Sequence, residues 1–248
     1  MSGHSKWANI KHKKAAADAK KGNVFSKIAR EIMVAARSGG DPGANLTLRA
    51  LIQKARGVNM PAENIDRAIK KGTGELAGEA LEERMYEGFG PGGIQIVVQA
   101  LTDNNNRTTA EIRMVLSKNG ANLAQGVLRN FRRKGQISVA IGKTTEDRLM
   151  EVALEAGAED IAQEDSLFVV TTDSAAVGAV VEALQKAGIE TENSEVAMIP
   201  DSYMLITNRV VASAVMRIVD ALDDLDDVQN VYTNMDVDES VLAALTQE

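Results

Sequence analysis

Apolar positions in the first third of the chain recur at helical spacing. Val24, Phe25, Ile28, Ile32 and Met33 form one stripe, which ends near Ser38-Gly39-Gly40. Asp41-Pro42-Gly43 predicts a turn. Leu48, Leu51, Ile52 and Ala55 then follow an i, i+3, i+4, i+7 pattern, with Gly57 as the stop. Pro61 suits the first turn of a further helix, whose stripe is Ile65, Ala68 and Ile69 and which Gly72 would end. Upstream, Ala15, Ala16, Ala17 and Ala19 sit among lysines in strong helix-forming company. The expectation is a small all-helical domain, followed by an acidic, Gly-rich linker over 72–83.

The texture then changes. Residues 94–101 predict a strand, and 108–117 a helix opened by a Thr108–Glu111 capping box. Strands are expected at 136–141, 166–172 and 195–199. Between them come a helix at 146–156, capped by Thr144 or Thr145, and one from Asp173 or Ser174 to Lys186 with Gly188 behind it. After the Pro200-Asp201 break, a short strand at 203–206, a helix at 209–222 and a last strand at 228–232 complete the pattern. The fold class is α+β with three domains: a helical one (1–80), an α+β one split into 81–134 and 202–248, and a second α+β one inserted at 135–201. Both sheets are expected to be ferredoxin-like split βαβ arrangements.

Composition narrows the function. The 248 residues are 44% apolar but only 3% aromatic, so aliphatic side chains must fill the core. With no cysteine, disulfides, Cys-based zinc sites, iron–sulfur clusters and thiol nucleophiles are all excluded. No stretch approaches the about 18 apolar residues of a membrane span, and the charged N-terminus lacks the apolar region of a signal peptide. A soluble, cytoplasmic protein is expected.

Charge is informative once divided along the chain. The total is −7, yet residues 1–75 hold 15 basic and 6 acidic side chains, a net +9. Residues 76–142 carry +2, and 143–248 carry −18. A basic module joined to an acidic remainder is expected to neutralise phosphates without sticking to polyanions wholesale. The alternative is that the basic segment is a solvated face, or docks on the acidic part of its own chain.

Most chemical motifs fail on context. Gly88, Gly90 and Gly93 match G-x-G-x-x-G, but they precede a strand instead of following one, and Pro91 interrupts them. Gly142-Lys143-Thr144 resembles the end of a P-loop, but six residues separate Gly135 from Gly142 where the motif needs four. There is no G-x-S-x-G elbow, and the 12-residue calcium-loop pattern is absent around Asp223, Asp224, Asp226 and Asp227. No catalytic residue, metal, cofactor or small-molecule substrate is expected.

Binding residues are better supported. His4, Lys6, Trp7, Lys11, His12, Lys13, Lys14, Lys20, Lys21, Lys27 and Arg30 form a dense basic run opposed only by Asp18. Cations supply phosphate affinity, and Trp7, the one tryptophan, could stack on a base or instead pin the arm to the core. A second cluster, Arg129, Arg132, Arg133 and Lys134, could extend the surface. So could Asn104-Asn105-Asn106-Arg107 at a helix N-terminus, where backbone N–H groups favour phosphate.

These residues carry a resemblance. Gly3-His4-Ser5-Lys6-Trp7-Ala8-Asn9-Ile10-Lys11-His12-Lys13-Lys14 closely resembles the opening of the YebC family. So do Tyr86-Glu87-Gly88-Phe89-Gly90-Pro91-Gly92-Gly93, Asp103-Asn104-Asn105-Asn106-Arg107-Thr108 and the Lys134-Gly135 step. The resemblance implies the same three-domain α+β fold and a cytoplasmic, DNA-binding transcriptional regulator. Through a mitochondrial translational activator of cytochrome c oxidase and ribosome-associated relatives, it also implies an RNA-binding translation factor, with ribosomal RNA and the ribosome as partners. The segment 125–131 departs from the family, being shorter and more basic than its usual strand. Two competing readings remain: an adaptor whose acidic domains bind a protein, and an enzyme with an unrecognised site.

Overall fold

The computed structural model describes residues 21–77, 80–164 and 166–246. In chain order the elements are α1 (Lys21–Ala36), α2 (Leu46–Gly57), α3 (Ala62–Thr73), β1 (Glu82–Phe89), β2 (Gln95–Thr102), α4 (Asn105–Lys118) and β3 (Asn122–Leu123). There follow β4 (Phe131–Ala140), α5 (Glu146–Glu155), β5 (Ala158–Glu164), β6 (Leu167–Asp173), α6 (Val177–Lys186) and β7 (Asn193–Pro200). The last are β8 (Met204–Ile206), α7 (Arg209–Asp223), β9 (Val228–Thr233), β10 (Met235–Val237) and α8 (Glu239–Thr246). The described residues fall into two units, one of 21–124 with 213–231 and the other of 125–212 with 232–246.

In the first unit, the stripes of α1, α2 and α3 converge. Ile28, Ile32, Leu48, Ile52, Ala55, Ile65 and Ala68 are buried together with Met60. Asn45 turns the chain between α1 and α2. Its Oδ1 accepts the Leu48 N–H at 3.0 Å and its Nδ2 donates to the Ala35 and Gly39 carbonyls, each at 2.9 Å. One asparagine thus caps the amino end of α2 and holds the preceding turn. The stop of α3 is Gly74, at φ 83°, two residues beyond the Gly72 expected from the pattern.

Four strands follow in the spatial order β3-β1-β2-β9. β1 pairs antiparallel with both β2 and β3, so β2 and β3 run parallel on either side of it, a split βαβ with α4 as the crossover. β1 corrects the sequence reading, which placed a linker over 72–83 and its first strand at 94–101. Its residues are mostly charged or polar and leave no apolar alternation to read. The turn from β1 to β2 lies at Pro91–Gly93, where Gly92 and Gly93 take φ of 72° and 78°. α4 is capped by Asn104, whose Oδ1 accepts from Arg107 N at 3.1 Å, so the helix starts before the Thr108–Glu111 box. Thr108 is fully buried and its hydroxyl is used elsewhere.

In the second unit, β4 to β7 form an antiparallel sheet in the order β5-β6-β4-β7. The chain order β4-α5-β5-β6-α6-β7 makes this a ferredoxin-like α+β arrangement. Ile137, Val139, Leu149, Phe168, Val170, Val180 and Leu184 are buried between sheet and helices. β5 was not foreseen from the sequence. It is an edge strand rich in acidic residues with an irregularity between Ala158 and Asp160, which discourages further pairing. Gly135 lies under the start of α6. A Cβ there would meet the Thr172 Cγ2 at 2.7 Å and collide with Val177. The segment 125–131 forms a 3-10 turn at Leu128–Asn130 that leads into β4 with Phe131 buried. β8 pairs in parallel with β10, and neither β10 nor α8 was expected.

Candidate nucleic-acid interface

His4, Lys6, Trp7, Lys11, His12, Lys13, Lys14 and Lys20 lie outside the described residues, and so does the side chain of Lys21. The two remaining cations of the basic run, Lys27 and Arg30, meet the chain's own acidic segment. Lys27 Nζ donates to the Asp223 carbonyl at 2.8 Å, and Asn23 Nδ2 donates to the Asp224 carbonyl at 3.1 Å. Arg30 donates to the Asp226 carbonyl and pairs with Asp227 Oδ1 at 3.0 Å. The last carbonyls of a helix have no intrahelical donor and carry the negative end of its dipole, so the end of α7 is a natural seat for cations.

Asp227 is the centre of this contact and is 2% exposed. Arg107 Nη2 lies 2.7 Å from its Oδ2 and 2.7 Å from Asp103 Oδ1. The hydroxyls of Thr108 and Thr102 lie 2.6 Å and 3.1 Å from the same Oδ2. Leu101 N donates to the Asp227 carbonyl at 2.8 Å, which ties β2 to the start of β9. Burial pushes the Asp227 carboxyl up. Hydrogen bonds from Arg107 and Thr108, with the charges of Arg30 and Arg107, outweigh it and hold the carboxyl below its ordinary value. The same bonds to Asp227 and Asp103 hold the Arg107 guanidinium above its own ordinary range. Beside this network, Asn105 Oδ1 accepts from the Tyr86 hydroxyl at 2.9 Å. Arg107, expected from the sequence to extend a phosphate surface, therefore spans two carboxylates of its own chain.

The second expected cluster does not converge either. Arg132 pairs bidentately with Asp201, both bonds at 2.9 Å, and Lys134 pairs with Glu159 at 2.7 Å. Arg133 alternates to the opposite face of β4. Among the described residues, Arg129 and Arg133 are exposed and make no ion pair.

The sequence predicts α3 as a helix, but its cations were not among the expected site residues. Arg67, Lys70 and Lys71 are exposed there, and Arg56 is exposed near the end of α2; among the described residues none of the four has an ion-pair partner. Arg67 and Lys71 share a helical face with Asn64, at i, i+3 and i+7. That face borders a groove of about 180 Å³ between α1 and α3, with Phe25, Met33 and Met60 contributing its apolar wall. The 64-67-71 spacing was available in the sequence as a polar stripe beside the apolar one. Among the described residues no helix is long and apolar enough to cross a membrane.

Comparison with known proteins agrees with this architecture. Residues 5–75 match the family profile described as the TACO1/YebC protein N-terminal domain, and residues 81–235 match the one described as the TACO1/YebC second and third domain. A protein of Halothermothrix orenii named "Probable transcriptional regulatory protein" is 48% identical over 253 residues, covering 100% of both chains. A Sulfurihydrogenibium protein of the same description is 51% identical over 249 residues, covering 99% of each. A solved crystal structure of a conserved hypothetical protein from Aquifex aeolicus superposes with a TM-score of 0.84 at 46% identity, covering 95% of this chain and 98% of that one. The chain belongs to the TACO1/YebC family.

Proposed function

We propose that this protein is a non-enzymatic, cytoplasmic regulator of gene expression that binds nucleic acid through residues 1–75. One observation carries the reading: a net +9 over those residues beside −18 over 143–248, in a chain whose relatives are named probable transcriptional regulatory proteins. Phosphate neutralisation needs cations that are not already paired. Arg56, Arg67, Lys70 and Lys71 meet that condition among the described residues, and the run from Lys6 to Lys20 supplies the highest density of charge in the sequence. Lys27, Arg30 and Arg107 are instead engaged with Asp227 and its neighbours.

DNA-binding transcriptional regulation is the first form of this reading. Contacts to phosphate carry no sequence information, so a Lys-rich surface also suits ribosomal RNA, and an RNA-binding translation factor on the ribosome is the second form. Charge reversal tests both. Replacing Lys11, Lys13 and Lys14 by Glu is expected to weaken binding and to flatten its salt dependence, by roughly 0.9 in log–log slope for each duplex phosphate that is no longer neutralised. Unchanged affinity across several salt concentrations overturns the assignment of this surface. Crosslinking in cells followed by sequencing separates the forms: promoter DNA supports the first, ribosomal RNA the second, and enrichment of neither overturns both.

A further inference from the structure

We infer that the groove between α1 and α3 receives one unpaired base of a single-stranded RNA segment, with Arg67 and Lys71 on the flanking phosphates. The inference rests on the nucleic-acid reading above and goes beyond it, because a surface that only neutralises phosphates needs no apolar recess. Here the two are adjacent. Phe25, Met33 and Met60 wall the groove, and Asn64, Arg67 and Lys71 border it from one face of α3. Arg67 and Lys71 are exposed and without ion-pair partners among the described residues, whereas Lys27, Arg30, Arg107, Arg132 and Lys134 are all occupied within the chain.

Size and chemistry narrow the occupant. A closed apolar cavity of roughly 150 Å³ takes a benzene ring, and the open groove of about 180 Å³ has room for one flat heterocycle between its apolar wall and its polar rim. An aromatic wall offers a stacking partner for any base, and an amide at the rim can donate to and accept from a base edge. Two cations one helical turn apart match the polyanion that comes attached to a base and would attract an uncharged aromatic ligand far less. Bases free to leave the stack are found mainly in the loops, bulges and ends of folded RNA, which is why the occupant is RNA and not duplex DNA.

The experiment compares the full-length protein's affinity for a short single-stranded RNA, the same sequence closed into a duplex, and the same sequence as single-stranded DNA, by fluorescence anisotropy. The single-stranded RNA is expected to bind about tenfold tighter than the duplex, in the range that one stacked base supplies. Ala29→Leu, which fills the groove without changing charge, is expected to abolish that preference and leave duplex affinity as it was. Asn64→Ala, on the half-exposed rim, is expected to reduce the preference without touching the core, so the test stands even if Ala29→Leu melts early by circular dichroism. Arg67→Ala with Lys71→Ala is expected to weaken both RNA forms and lower the single-strand salt slope by about 1.4. Equal affinity for single strand and duplex, or a preference that survives both Ala29→Leu and Asn64→Ala, overturns the groove inference alone. Equal binding of single-stranded DNA overturns its assignment to RNA. Binding of none of the three overturns the nucleic-acid reading itself.

Discussion

Asp227 is ionised in a place that excludes water, and its surroundings explain why. Arg30 reaches one oxygen, while Arg107, Thr108 and Thr102 crowd the other. Replacing it by Asn leaves two guanidinium groups facing a neutral amide and is expected to cost about 3 kcal/mol of stability, read as a lower urea midpoint with an unchanged slope. The pH dependence follows from the direction of its shift. The folded carboxyl sits below its ordinary value of 3.8. Its contribution is therefore present at neutral pH, begins to decline as the pH approaches 3.8, and is lost as the pH falls through the folded value. The stability gap between the wild type and Asp227→Asn should be constant near neutrality and narrow below about pH 4. A gap that persists there would mean that the carboxylate charge is not what stabilises. Arg107→Ala is expected to cost less, about 1 kcal/mol, because its guanidinium is 43% exposed and solvent screens it. It should leave the salt slope of nucleic-acid binding unchanged, since its charge is already matched by Asp103 and Asp227. A reduced slope would return Arg107 to the binding surface.

Elements were legible where burial is one-sided. The stripes of α1, α2 and α3 name the residues that are buried together, among them Ile28, Ile32, Leu48, Ile52, Ile65 and Ala68. β2 and β6, with nearly continuous apolar runs, were equally plain. β1 was not, because Glu82, Glu83, Arg84 and Glu87 give it a polar texture and its pairing with β2 comes from backbone hydrogen bonds that leave no trace in composition. β5 was hidden for the same reason at a sheet edge. The cap of α4 was missed because Thr108 fits a capping box by type, while its hydroxyl is drawn instead to Asp227, 119 residues away. Gly135 shows the opposite case, a residue whose role is clear only in three dimensions. α6 crosses β4 so closely that any side chain at 135 would have to displace Val177. Gly135→Val is expected to destabilise by about 2–3 kcal/mol, as overpacking does, and to unfold at lower denaturant than the wild type. A melt within error of wild type would show that α6 can shift away freely.

At the scale of the whole chain, charge segregation was fully readable, and docking of the basic segment on the acidic one was open as an alternative, but the residues that dock were not identifiable. Lys27 and Arg30 look like any other cations of the basic run until the fold brings Asp223 and Asp226, 196 residues on, to meet them. Contacts of that separation depend on topology, which no local pattern encodes. The segregation nonetheless predicts behaviour beyond any one contact. A net −18 over 143–248 should repel a polyanion drawn to the +9 end, so that binding is weaker but more selective than the basic end alone would give. Glu151, Glu155 and Asp160 are exposed and, among the described residues, unpaired, so they can be neutralised without disturbing the core. The triple change Glu151→Gln, Glu155→Gln and Asp160→Asn should raise affinity for random duplex by roughly two- to fivefold at about 50 mM salt, where screening is weak. By about 200 mM, with the Debye length near 7 Å, the gain should vanish. An effect that ignores salt would point to local contact at these three positions, and no effect at low salt would mean that the acidic half does not temper binding at all.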